Sequence, residues 1–205
     1  IFPAEISKEL KKYLENHQHS LFMGLFAFYN ILLHKYTHQT EFVVGVPVSG
    51  RYHHDLNNQI GFYLNTLPLR TQINSRKSVE EFLKSINEYV KNAFDNQVYP
   101  FDLLLEKSNK GRGANRIGLY DVMFTLQNFD EGKLDFEGIE NKNFEIDLPH
   151  SKFEMTMICK ELKDTIAISL EYSTQIFTEN SIQKFVYHFQ NLIVSFLQNK
   201  NISIA

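Results

Sequence analysis

The 205 residues leave room for one sizeable domain, and an apolar share of 43% with 18 Phe and 10 Tyr supplies a real core and excludes a disordered chain. A formal net charge of -3, from 21 basic and 24 acidic residues, offers nothing to recruit nucleic acid or an anionic membrane. The single cysteine, Cys159, excludes an internal disulfide framework and a Cys-based zinc site, and one free thiol suits a reducing, cytoplasmic setting.

The first residues carry neither a basic n-region nor an apolar h-region, so they do not read as a signal peptide. The chain also starts without Met and is expected to be a piece of something larger. Pro3 suits the first turn of a helix whose face is Ile6, Leu10, Tyr13 and Leu14. A polar break from Asn16 to His19 leads to Ser20 as an N-cap, and a helix apolar on most sides runs to about Tyr36. Its most apolar part, Leu21 to Leu33, falls short of the roughly 20 residues that span a bilayer. Glu41 to Val48 reads as a strand, with Pro47 at its end or on an edge. Gly50 to Asn58 reads as loop and Leu64 to Ile73 as extended.

Ser78 and Glu81 spell a capping box, followed by Phe82, Leu83, Ile86, Tyr89, Val90, Ala93 and Phe94 at helical spacing. Pro100 precedes a short helix through Leu105, and Lys107 to Gly118 is a basic, glycine-containing loop. Strands are expected over Leu119 to Gln127, at Phe144-Ile146-Leu148 and Phe153-Met155-Met157, and over Ile166 to Tyr172. Acidic Asp130 to Lys142 between them is expected to project from the fold. A last helix, capped by Thr178, carries an apolar stripe from Ile182 to Leu197. This order implies an α/β or α+β fold, a mixed sheet flanked by helices rather than a regular βαβ array.

No residue set completes a catalytic centre. His53-His54-Asp55 lies on a polar loop, and neighbouring extended residues point opposite ways, so solvent is the expected surrounding. His17 and His19 flank a helix end, and each is expected to be a surface residue or a helix-end cation rather than a ligand. His34 and His38 have zinc-binding spacing, yet Thr37 and His38 are expected past the helix end with no third ligand. Ser49 lacks the first glycine of a nucleophile elbow, and Gly111-Arg112-Gly113 lacks the rest of a P-loop. Cys159 reads as a packing residue.

Function comes from resemblance. Ile60-Gly61-Phe62-Tyr63-Leu64-Asn65-Thr66-Leu67-Pro68-Leu69-Arg70 resembles the condensation-domain motif (I/V)GxFVNTxxxR of nonribosomal peptide synthetases. Asn96 to Asp102, with Pro100 and Phe101, is similar to (H/N)QDYPFE, with Val98 in place of an acid. Arg112 to Leu119, including Arg116, is a degenerate RDxSRNPL, and Phe42 to Arg51 resembles VVGxPVSGR. The resemblance covers 1–205.

It implies the C-terminal lobe of a two-lobed, chloramphenicol-acetyltransferase-like domain, with the active site in a tunnel between lobes. The HHxxxDG motif would belong to the N-terminal lobe; His53-His54 is not that motif. The intact domain would join two thioesters carried on phosphopantetheine arms, with no cofactor bound directly and no metal. Its partners would be that N-terminal lobe, peptidyl carrier proteins and an adjacent adenylation domain. Asn65, Thr66, Gly61 and Phe62 are then expected along the tunnel. For Asn65, satisfying local backbone groups at a strand start is an equal alternative. Arg51, Arg70, Pro100, Phe101 and Arg116 would be structural, and Asp130 to Lys142 a latch onto the other lobe. EGHGRE and FNYLG patterns of epimerisation domains are absent, and Asn65-Thr66 differs from heterocyclisation domains. A noncatalytic domain that docks a carrier or partner is the second expectation.

Overall fold

A computed structural model describes residues 2–108, 118–128 and 150–205. Arg116, the Asp130 to Lys142 stretch and the alternation at Phe144-Ile146-Leu148 lie outside these residues. The elements in chain order are α1 (Ala4–Asn16), α2 (Leu21–Thr37), β1 (Glu41–Val48), β2 (Asn65–Gln72), α3 (Val79–Asp95), α4 (Phe101–Ser108), β3 (Val122–Gln127), β4 (Met155–Glu161), β5 (Ile166–Tyr172) and α5 (Glu179–Gln198). The strands form one mixed sheet in the order β2-β1-β3-β4-β5. The β1–β3 and β3–β4 pairs are parallel, and β1–β2 and β4–β5 are antiparallel.

Alternation decides which side of the sheet is core. Val44, Val46 and Val48 of β1, Leu67 and Leu69 of β2, Phe124 of β3, and Met155, Met157 and Cys159 of β4 are buried on one face. They pack there with α2, α3 and α5. α2 is buried continuously from Gly24 to Leu33, which is why it is apolar all round. Phe124 sits beneath it, 5.5 Å from the Phe22 ring, 5.6 Å from Phe26 and 5.6 Å from Tyr29. Truncating so enclosed a ring costs about 3–5 kcal/mol.

The caps follow the sequence chemistry. Ser20 accepts from the Met23 N–H, Ser78 and Glu81 close the capping box, and Thr178 accepts from the Ser181 N–H. Pro3 is the N-cap of α1, not its first residue. α2 continues one residue past Tyr36 because the Thr37 Oγ1 donates to the Leu33 carbonyl, so Thr37 is helical; His38 closes the helix in the left-handed region. β3 starts at Val122 and β4 at Met155, so Leu119 to Asp121 and Phe153 lie outside the ladders. Burial pushes the Cys159 thiol up to about 12, consistent with an inert packing residue.

His19 departs most from the sequence expectation. It is 7% exposed rather than on the surface, because Gln18 takes φ 58° and turns the chain inward between α1 and α2. Neither ring nitrogen has a hydrogen-bond partner among the described residues. Burial lowers its pKa first; His17, Lys84 and Lys91 lower it further, against Glu80. A depressed histidine pKa favours the neutral form in the fold. Stability is therefore full above the unfolded-state value of about 6.5 and is lost as pH falls through it. Urea unfolding between pH 7.5 and 5.5 should show this decline, and His19→Leu should flatten the profile by the share that His19 contributes.

Candidate functional site

The parallel strands β1 and β3 end on the same side, and the N-terminus of α2 and the C-terminal half of α3 converge there. Between them lies a cleft of about 690 Å³, within the size range of small-ligand sites. Ligands in open α/β sheets bind outside the carboxyl ends of strands for the same topological reason. Three chain segments meet at its wall: Pro47, Val48 and Ser49 from the end of β1, Leu64 from the entry to β2, and Gln97 from the α3–α4 turn. Ser49 lies outside the residues expected at the site from sequence. Its signal in the sequence was its place at the end of a valine-rich strand, within the stretch that resembles VVGxPVSGR.

Asn65, the first residue of β2, holds this wall in place. Its Nδ2 donates to the Gln97 carbonyl (2.8 Å) and the Tyr99 carbonyl (2.9 Å), and its Oδ1 accepts from the Phe101 N–H (3.2 Å). The partners are 32 to 36 residues away, so the amide does not serve local backbone groups. Thr66 points to the opposite face of β2 and is hydrogen-bonded to the Tyr120 hydroxyl. Tyr120 in turn lies 5.7 Å from the Phe101 ring and covers Gly45, where a Cβ would stand 2.4 Å from the Tyr120 ring. Asn65, Phe101, Tyr120 and Thr66 thus close a ring through β2, α4 and the segment entering β3. Pro100 starts α4, its carbonyl accepting from the Leu104 N–H.

Gly61 and Phe62 stand on the loop between β1 and β2. Gly50 takes φ +64° there, and a Cβ would collide with the Tyr63 carbonyl oxygen at 1.7 Å. Arg51 holds the loop from inside. It donates to the Leu56 carbonyl and the Gly61 carbonyl, and its guanidinium lies 4.5 Å from the Tyr63 ring centroid. Ile60, Phe62 and Leu64 are left facing solvent, the first two almost completely, at 104% and 87% exposure. Arg70 lies away from the cleft and pairs with Glu41 across β1–β2 at 2.5 Å, which holds the Glu41 carboxyl below its usual range.

Gly61, Phe62, Asn65 and Thr66, expected along the tunnel, do not themselves line the cleft, and the remaining candidates do not join it either. His53, His54 and Asp55 sit on an exposed turn at 66%, 92% and 74% exposure, 3.5–3.6 Å apart. Among the described residues no element packs over them to orient a base. His34 Nδ1 donates to the Gln39 carbonyl (2.7 Å). Among the described residues no group of three His, Cys, Asp or Glu could hold a metal ion. No helix of the described residues is long and apolar enough to cross a membrane.

Removing the Asn65 amide breaks three hydrogen bonds at a half-buried position, each contributing roughly 1 kcal/mol. Asn65→Ala should lower stability by about 1–3 kcal/mol and speed exchange of the Phe101 amide proton, an effect read by NMR. An unchanged Phe101 exchange rate in the folded variant would remove the bracket.

The condensation-domain family model matches residues 1–205. The chain is 36% identical over 186 residues to gramicidin S synthase 2 of Brevibacillus brevis, covering 91% of this chain and 4% of that protein. It is 34% identical over 201 residues to bacitracin synthase 1 of Bacillus licheniformis, covering 98% of this chain and 4% of that one. Its fold is similar to a four-domain nonribosomal peptide synthetase solved with AMP and glycine (TM-score 0.87, 18% identity, 98% of this chain and 16% of that chain). It is also similar to the condensation domain of a monacolin K polyketide synthase (TM-score 0.83, 18% identity, 100% and 47%). The chain therefore spans a few per cent of the curated synthetases and about half of a solved condensation domain. The family model's match along the whole chain shows that this chain belongs to the condensation-domain family.

Proposed function

We propose that the chain is the C-terminal half of a condensation domain within a larger synthetase, and that its cleft forms one wall of the passage where two carrier-bound thioesters meet. The observation that carries this is the convergence at the cleft. The stretches 42–51, 60–70 and 96–102, which carry the resemblance, each contribute to its wall through Val48 and Ser49, Leu64, and Gln97. In the reaction the neutral amine of one aminoacyl thioester attacks the carbonyl of the other. A C–N bond forms, the C–S bond breaks, and the amine gives up a proton as the thiol leaves. Both substrates arrive on phosphopantetheine arms of carrier proteins, next to an adenylation domain and in the cytoplasm.

This chain's share is to position and to exclude water. Asn65 holds the wall through the Gln97 carbonyl, and the exposed Ile60, Phe62 and Leu64 offer apolar surface to the other half of the domain. The base or orienting histidine would come from that half, since His53 and His54 stand in solvent. Proximity and proton transfer each contribute orders of magnitude to rate.

The test supplies two loaded carrier proteins and follows dipeptidyl thioester by mass spectrometry. The parent domain should form product, and His53→Ala with His54→Ala should leave its rate within about twofold, because neither ring reaches the cleft. The isolated chain should form none above the uncatalysed background. Product from the isolated chain, abolished by changing either histidine, overturns the reading; a parent domain that binds loaded carriers without forming product makes it a docking domain.

A further inference from the structure

We propose that the cleft is a side-chain pocket: it takes the apolar side chain, of leucine to phenylalanine size, of one carrier-bound aminoacyl thioester. The inference rests on the condensation reading and adds the class of substrate that the site prefers. Five apolar side chains make the interior. Phe22 and Met23 come from the first turn of α2, Val90 and Phe94 from α3, and Leu126 from the end of β3. Val90 is buried and the other four are half-buried. Of the polar residues that line the same cleft, Ser20, Ser49, Lys91, Asp95 and Asn128 are exposed at its rim, and only Gln97 and Thr125 are half-buried. An apolar interior with a polar margin accepts a hydrocarbon side chain and leaves the polar thioester and amine of the same substrate at the mouth. A charged side chain would be desolvated against Phe94, Val90 and Leu126, while Lys91 and Asp95 stay on the solvated rim.

The pocket is also built to stay open. Phe22 is held from three sides, by Phe26 at 5.7 Å, Phe94 at 5.8 Å and Phe124 at 5.5 Å. Phe124 belongs to the central strand, so the wall cannot close by moving one helix turn alone. The position of Gln97 is set by the Asn65 amide. A preformed apolar site of this kind loses little to reorganisation when filled. Burying a side chain of leucine size gives a preference of roughly ten- to a hundredfold over alanine.

The experiment uses the parent condensation domain. Carriers are loaded in turn with leucine, phenylalanine, alanine or aspartate at each of the two substrate positions, and dipeptidyl thioester formation is compared. At one position leucine and phenylalanine should exceed alanine by about tenfold or more, with aspartate lowest. Phe94→Ala should shift the ratio toward phenylalanine. Leu64→Trp, which narrows the cleft at its wall, should lower the leucine-to-alanine ratio at least tenfold. A second readout does not depend on turnover. Methyl NMR of Met23, Leu64, Val90 and Leu126 is followed while leucyl-S-N-acetylcysteamine is titrated, with the aspartyl thioester as comparison. Shifts with the leucyl probe that disappear in Leu64→Trp support the pocket. Dipeptide formation whose selectivity neither variant moves, or leucyl titration without methyl shifts, overturns it. Methyl shifts without dipeptide from any carrier pair would instead retain the pocket and overturn the condensation reading.

Discussion

The packing of Phe124 under α2 is the contact on which the site depends. β3 is the middle strand, parallel to both neighbours, and Phe124 is its fully buried residue. Three aromatic rings of α2 sit within 5.6 Å of it. One of them, Phe22, also reaches Phe94 of α3 and lines the cleft. A single cluster therefore welds the central strand to two helices and at the same time sets the depth of the site. Aromatic clusters suit this task, since edge-to-face contacts fix orientation as well as distance.

The second organising device works through two adjacent residues. Because successive side chains of a strand point to opposite faces, Asn65 can hold the α3–α4 turn while Thr66 holds Tyr120 on the other side. The edge position of β2 is managed in the same region. Pro68 removes a backbone donor, and the Tyr89 hydroxyl accepts from the Arg70 N–H, which would otherwise face an empty edge. β2 is thus spent on internal support, and its entry end carries the site.

The loop between β1 and β2 shows the other side of this economy. Arg51 and Gly50 give it an internal scaffold, yet its apolar residues Ile60, Phe62 and Leu64 face outward. Val98, Tyr99 and Leu103 are also exposed. Exposed apolar side chains on a well-braced backbone are costly in water and fit a face that a partner covers.

Much of the local structure was legible from residue types alone. Caps at Ser20, Ser78 and Thr178 act within one turn, so four consecutive residues contain the whole interaction. The apolar periodicity of α3 and α5, the all-round apolar character of α2, the valine-rich run of β1 and the alternation in β5 specify helix and strand by local chemistry. The family was legible too, from stretches 42–51, 60–70 and 96–102. What the sequence could not determine depends on partners far along the chain. Asn65 meets Gln97, Tyr99 and Phe101 across 32 to 36 residues, Tyr120 fills the space above Gly45, and Ser49 enters a cleft formed by four elements. His19 looked like a surface residue because its neighbours are polar, but one positive φ at Gln18 turned it inward. Short-range chemistry chose the elements; which side chains face one cleft was decided only when packing around Phe124 set the elements against each other, since the contact energy there belongs to no single segment.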